Sequence, residues 1–247
     1  MKTLGLDTST GTASAALIEN GKLIQERVQG PVYPPSSGAT GPVRRTNHAE
    51  TLLPLVESLL DRARCSWQQI GAIAVSIGPG SFTGLRIGLS TVKGLAYGWN
   101  VPVVPVPTLS AIAFRVSDWK GLICPMLDAR KKEVYTALFR RGEDDEEVVR
   151  LMEDVVCPPH TILKRSRQSG PGGCLFIGDG SAVYESLIRD HWGDRAVLSD
   201  GMNYPSTAFA VACLAAEQLE RGESASPDLL APLYLRPSEA ELKRRPG

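Results

Sequence analysis

The sequence predicts an α/β protein in which a βββαβα unit is written twice, the second copy reduced. Three observations predict it. Apolar residues alternate through three short runs, turn to helical spacing, and repeat that order in the second half. Short matches recur at fixed offsets. Leu6-Asp7 matches Leu127-Asp128, Ala16-Leu17 matches Ala137-Leu138 and Gly21 matches Gly142, each 121 residues apart; Ile77-Gly78-x-Gly80-Ser81 matches Ile177-Gly178-x-Gly180-Ser181, 100 apart. Finally, 247 residues suffice for one large domain or two intimately packed halves.

In the first half, strands are expected at 3–8, 12–19 and 22–29. Asn20-Gly21 is a strong hairpin turn between the second and third. A helix follows at 48–63, capped by Asn47 with Glu50 reaching back in a variant of the capping box. Leu52, Leu53, Val56, Leu59 and Leu60 form its apolar face, widened by Leu55. Next come a buried strand at 71–77, a helix at 82–98 and a strand at 103–107. On that helix Phe82, Leu85, Leu89, Val92, Ala96 and Trp99 form one stripe. Gly84, Gly88, Thr91, Leu95 and Gly98 form another, rich in small residues that let a second element approach closely, within this chain or from another.

The second half offers strands near 121–127, 132–140 and 148–156, a short helix near 159–166, a strand at 174–178, and helices near 181–191 and 205–221. Residues 30–45, rich in Pro and Gly, cannot be a regular element and read as a loop. Glu143-Asp144-Asp145-Glu146-Glu147 reads as a solvated turn, 166–173 as a flexible loop, and 237–247 as a charged tail. The expected domains are therefore 1–107 and 108–236, followed by the tail.

Composition excludes several classes. Lys plus Arg and Asp plus Glu number 27 each, which argues against a chain that is the main binder of a nucleic acid but leaves room for a local basic patch. No apolar run approaches the roughly 20 residues of a membrane span, and the N-terminus has no signal-peptide core, so a cytoplasmic protein is expected. The five cysteines are scattered, with no CxxC pair, and read as reduced, mostly buried thiols. No clustered ligands suggest a metal site, and His48, His160 and His191 are dispersed. A peptidase lacks both an HExxH motif and an arguable Ser-His-Asp set.

Two motifs carry the functional reading. Asp7-Thr8-Ser9-Thr10-Gly11 ends the first strand; its turn can offer amides to a phosphate, or can be a plain β-turn held by Asp and Ser side chains. The second copy, Asp128-Ala129-Arg130-Lys131-Lys132, has no glycine where a phosphate would approach. Gly78-Pro79-Gly80-Ser81-Phe82-Thr83-Gly84-Leu85-Arg86 joins a strand to a helix. Such a turn can bind an anion, but it is neither a P-loop nor a good Rossmann fingerprint.

The duplicated unit, with an Asp ending each first strand, resembles the actin, Hsp70 and sugar-kinase superfamily. More specifically, Asp7-Thr8-Ser9-Thr10, His48-Ala49-Glu50-x-Leu52-Leu53-Pro54, the 78–88 segment, Leu127-Asp128-Ala129-Arg130 through Glu133-Val134-Tyr135, and Pro232-Leu233-Tyr234-Leu235-Arg236 resemble the TsaB (YeaZ) family. The 78–88 segment is specific to that family and its catalytic paralogue TsaD. Relatives of the TsaD type carry two metal-binding histidines, spaced His-x-x-x-His, soon after the following strand; here Thr108 and Ile112 occupy those places.

The resemblance implies a non-catalytic scaffold that supports TsaD in threonylcarbamoyl modification of adenosine 37 of tRNAs reading codons that begin with A. It implies a heterodimer with TsaD, the ATPase TsaE as a further partner, a homodimer when alone, and tRNA contact only through the complex. It implies no catalytic residue, metal or cofactor of the chain's own, with weak ATP or ADP and Mg binding mainly in the complex. Carried onto this sequence, the partner interface comprises His48, Leu52, Leu55, Gly84, Arg86, Gly88, Thr91 and Leu95. Vestigial nucleotide contacts fall at Asp7, Thr8, Ser9, Thr10, Gly178, Asp179 and Gly180. The sequence departs from the family chiefly in the 30–45 insertion. The alternative is an ATP-binding small-molecule kinase or ATPase that uses the Asp7 hairpin.

Overall fold

A computed structural model of the chain describes residues 1–30, 47–142, 147–199 and 206–236. The expected 30–45 loop beyond Gly30, most of the 143–147 turn, and the 237–247 tail lie outside the described residues. The chain forms two compact units, Met1–Ala111 with Ser206–Pro232, and Ile112–Pro205 with Leu233–Gly247.

The first part of the chain supplies β1 (Lys2–Asp7), β2 (Ala13–Glu19), β3 (Lys22–Gln29), α1 (His48–Ala63), β4 (Ile70–Gly78), α2 (Phe82–Trp99), β5 (Val103–Pro107) and α3 (Thr108–Phe114). Then follow β6 (Gly121–Asp128), β7 (Val134–Arg141), β8 (Val148–Cys157), α4 (Pro159–Gln168), β9 (Cys174–Ile177), α5 (Asp179–Val183), α6 (Glu185–Trp192), β10 (Ala196–Ser199) and α7 (Thr207–Glu220).

One sheet runs β3-β2-β1-β4-β5 and the other β10-β9-β6-β7-β8. In each, the first three strands are antiparallel and the last two continue in parallel beside the first. The repeat suggested by the offsets is thus a repeat of topology, and the chain has the duplicated actin-like architecture. Asn20 and Gly21 take φ of 50° and 77°, the left-handed pair that the hairpin turn requires.

Alternation along the first sheet sorts its two faces. Leu4, Leu6, Ala13, Ala15, Leu17, Ile73 and Val75 join α1 and α2 in one apolar core. On the other face Gly5 lies beside Ala16 and Ala74 in the strand register. There α7 packs on β1, β2 and β4, with Ala208, Ala212 and Ala215 fully buried. The approach is close: a Cβ at Gly5 would lie 2.2 Å from the Ala208 carbonyl oxygen.

The domain division expected at 107/108 follows chain order, whereas the compact units follow this packing. The sheet, apolar on both faces, needs a second cover, and α7 provides it from the far end of the chain. The sequence reading also missed α3 and the four-residue β10, each too short to show a period, and it fused α5 and α6, which break at Tyr184. Leu53, expected on the apolar face of α1, is 44% exposed, while Leu55 is in the core.

The second core gathers Leu122, Cys124, Met126, Val134, Leu138 and Phe176 with Ile162 and Leu163 of α4 and Ile188 and Trp192 of α6. Among the described residues no helix is long and apolar enough to cross a membrane.

Replacing Gly5 with Ala should lower the unfolding free energy by about 2 kcal/mol or more, read by urea denaturation, because α7 must lift from the sheet. An unchanged midpoint would contradict this packing.

Candidate functional site

The site is built on the turn after β1. Asp7 is buried, and its Oδ1 accepts hydrogen bonds from the Ser9 amide at 3.1 Å and the Ser9 hydroxyl at 2.6 Å. This is the Asx-turn chemistry of a self-stabilised turn. The remaining polar groups of the turn are met by two helix starts. The Ser81 amide donates to the Ser9 carbonyl at 2.6 Å, and His48 Nε2 lies 3.0 Å from the Thr10 carbonyl. The Thr8 hydroxyl donates to the Gly84 carbonyl at 2.7 Å. A carbonyl can only accept, so Nε2–H is the donor in this contact, while Nδ1 is buried without a partner.

The glycines of α2 make this contact possible. A Cβ at Gly80 would lie 2.2 Å from the Ser9 carbonyl oxygen, one at Gly84 2.0 Å from that of Thr8, and one at Gly88 2.4 Å from the Thr8 hydroxyl. The Gly84 amide is taken by the Ser81 hydroxyl, which caps the helix. The helix start therefore presses against the chain's own turn. The Ser81 and Gly84 amides, which an anion there would use, are taken by the Ser9 carbonyl and the Ser81 hydroxyl.

This placement corrects part of the expected partner interface. Gly84 and Gly88 are buried against Thr8, His48 against the turn, and Leu52 and Leu55 in the core under α1. Of the eight residues, Arg86 is exposed, over the Phe82 ring, and Thr91 and Leu95 are half-buried. The second stripe of α2 divides in two: Gly84 and Gly88 face inward, while Gly98 stands in open space, as does Gly94 off the stripe.

Thr108 and Ile112, where the catalytic relatives place histidines, are both buried. The Thr108 hydroxyl accepts a hydrogen bond from the Gly78 amide at 3.2 Å, so this position serves the end of β4. Among the described residues no group of three His, Cys, Asp or Glu side chains comes together to hold a metal. All five cysteines are free, and burial raises every thiol, Cys124 and Cys213 to about 12. That is opposite to the shift a thiolate nucleophile needs.

In the second unit the equivalent turn is differently built. Asp128 accepts from the Arg130 amide at 2.9 Å and pairs with its guanidinium at 2.8 Å. Arg130, Lys131 and Lys132 take φ of 60°, 53° and 63°, three consecutive left-handed residues with side chains. Such residues cost on the order of 1–2 kcal/mol each, so surrounding contacts must hold them. Arg236 supplies two, donating to the Ala129 carbonyl at 3.2 Å and pairing with Glu133. This explains why the 232–236 motif accompanies the 127–135 motif, a link the sequence reading missed because the partners lie about a hundred residues apart.

Asp179 accepts from the Asp128 amide at 3.0 Å. Desolvation raises its carboxyl above the ordinary range, even though the residue as a whole is exposed. Gly178 repeats the conformation of Gly78, with φ of 115° against 118°, but a Cβ there would lie 2.4 Å from the Met126 carbonyl oxygen. A Cβ at Gly180 would lie 2.9 Å from that same oxygen.

Comparison with known proteins gives a consistent set. The family model "TsaD: tRNA N6-adenosine threonylcarbamoyltransferase" matches residues 23–244. The TsaB protein of tRNA threonylcarbamoyladenosine biosynthesis from Bacillus subtilis (strain 168) is 29% identical over 98% of this chain and 97% of its own length. A tRNA N6-adenosine threonylcarbamoyltransferase of Syntrophobacter fumaroxidans is 33% identical, but over only 57% of this chain and 43% of its own length. The solved structure of YeaZ from Pseudomonas aeruginosa has a TM-score of 0.74 and 29% identity, covering 95% of this chain and 99% of that one.

Gly84→Ala should destabilise the protein by about 2 kcal/mol or more despite the better helix former, whereas Gly94→Ala should stabilise it by about 0.5–1 kcal/mol. Thermal melts of the pair check this; equal effects would refute the inward orientation of Gly84. Thr108→Val should cost about 1–3 kcal/mol, because it strands the buried Gly78 amide. Chemical denaturation reads it, and a neutral result would remove that role.

Proposed function

Because this chain belongs to the TsaD family of tRNA N6-adenosine threonylcarbamoyltransferases, on its TsaB (YeaZ) branch, we propose that it is a non-catalytic scaffold for threonylcarbamoyl modification of adenosine 37 in tRNA. It acts in the cytoplasm by pairing with a TsaD subunit, with the ATPase TsaE joining them. One observation carries the reading. The 78–88 segment packs onto the chain's own turn, and the position directly after β5 holds Thr108, a structural hydroxyl, where the resemblance places an imidazole in the catalytic relatives.

The surface proposed for TsaD, and for a homodimer when the chain is alone, is the exposed side of α1 and α2. These helices pack together. They leave Leu53 and Pro54 of α1, and Thr83, Arg86, Ser90, Gly94 and Tyr97 of α2, open to solvent. Half-buried Thr91 and Leu95 border it. This set replaces the inward-facing His48, Leu52, Leu55, Gly84 and Gly88. Gly94 and Gly98, with open space at their Cβ positions, would let a partner helix come close.

The alternative of a kinase or ATPase is disfavoured by the engaged Asp7 carboxylate and the covered glycines. Nucleotide with Mg is proposed to bind weakly, and mainly in the complex.

The test is reconstitution with purified TsaD and TsaE. The isolated chain should yield no modified tRNA, and adding it should restore activity. Gly94→Arg should abolish co-purification with TsaD without lowering the melting temperature. Modification by the isolated chain would overturn the scaffold reading, and unchanged pairing by Gly94→Arg would overturn the surface. Calorimetry with ATP and Mg should give weak or no binding to the chain alone; tight binding would favour the kinase or ATPase.

A further inference from the structure

We propose that the C-terminal half of α4 and the loop that follows it form a contact surface for the phosphodiester backbone of folded RNA. The second unit supplies all of it. Residues 157–178 contain no carboxylate, in a chain whose acids and bases balance. Within that stretch Lys164, Arg165 and Arg167 are exposed. Two exposed arginines from elsewhere dock on the same loop. Arg140 of β7 donates to the Ser169 carbonyl, and Arg195 donates to the Pro171 carbonyl at 2.7 Å. Arg167 donates to the His191 carbonyl at 2.7 Å, and Arg167 and Arg195 each lie 5.6 Å from the Trp192 ring centre.

Five cations are thus gathered around one loop, three of them held by carbonyls. Among the described residues none of the five pairs with a carboxylate. Arg130, Arg150, Arg189, Arg221 and Arg236, by contrast, each pair with an acid. Capping of helix ends explains where Arg140 and Arg167 sit. It does not account for Lys164, for Arg165, whose recorded contact is the Met152 sulfur at 3.8 Å, or for the missing acids. A guanidinium has five N–H donors, so one bond to a carbonyl leaves the rest of the fork available to phosphate. Asp190 and Asp194 bound the patch on the α6 side.

The partner class follows from what the surface lacks. Ile162 and Leu163, the large apolar residues of α4, are fully buried, and no large exposed apolar residue lies on α4 or its loop. A helix that lies in a membrane interface needs an exposed apolar face. The core of a protein interface likewise draws on aromatic and apolar anchors. A purely cationic, hydrogen-bonding surface fits phosphates, whose neutralisation supplies sequence-independent affinity. That the RNA is tRNA rests on the proposed function; the patch itself does not. The surface supplies a positioning contact and takes no part in the chemistry.

The test uses the full chain and a fluorescently labelled unmodified tRNA transcript, followed by anisotropy from about 50 to 200 mM salt. Wild type should bind with affinity that falls as salt rises. Lys164→Ala with Arg165→Ala should weaken binding several-fold at low salt and make the log–log salt slope shallower by about 1.8, at about 0.9 per phosphate contact. Both side chains are exposed, so the melting temperature should hold. Arg189→Ala with Arg221→Ala removes the same charge from acid-paired sites and should leave binding unchanged.

Equal affinity of the two double variants, or salt-independent binding or none by wild type, would overturn the proposal. So would binding to phosphatidylserine-containing vesicles without binding to tRNA. Co-purification with TsaD separates the two readings: if pairing fails while the Lys164 and Arg165 effect persists, the scaffold role falls and the RNA surface stands, and the converse result does the opposite.

Discussion

The turn between β1 and β2 buries the carbonyls of Ser9 and Thr10, and a buried carbonyl needs a donor. The Ser81 amide and His48 Nε2 are those donors, so α1 and α2 must both start against this turn. For α2 the requirement is severe. Its first turns can reach the backbone of Thr8 and Ser9 only with glycine at 80, 84 and 88. Much else follows from that contact. It sets where β4 ends and places Thr108 under the Gly78 amide. It also directs the other side of α1 and α2 outward, as the surface available to another molecule.

The two copies of the unit have diverged around the same sheet topology. In the first, a long helix follows the glycine turn; in the second, the five-residue α5 does, and the chain then bends into α6. The first turn is stabilised from within by Asp7 and Ser9. The second holds three left-handed residues with the help of Arg236 from the distant 232–236 motif. Both retain the paired glycines at 78 and 178, because each chain reversal passes close to backbone. What the second has lost is the helix whose start could face a ligand.

The even charge of the chain conceals an uneven distribution. Arg130, Arg150, Arg189, Arg221 and Arg236 are paired with acids, which contributes little to stability at a solvated surface. The loop after α4 is different, because its cations are held by carbonyls and leave their charge uncancelled. Net charge alone argued only against a principal role in RNA binding; local pairing decides whether a secondary one exists.

From the sequence by itself came the class of fold, the duplication, nearly every long element, and the family. These are written in local terms: a period of two or 3.6, an Asn-Gly turn, a spaced run of glycines. Tertiary structure decided the matters that depend on which face meets which. Gly84, Gly88 and Gly98 lie on one stripe in the sequence, yet the first two meet Thr8 and the last meets solvent. Leu53 and Leu55 look alike in sequence, but one is outside and one inside. The alanines of α7 gave no sign that their partner was Gly5, some two hundred residues earlier. Periodicity reports that a face is buried. Only contacts between residues far apart in the chain determine what buries it.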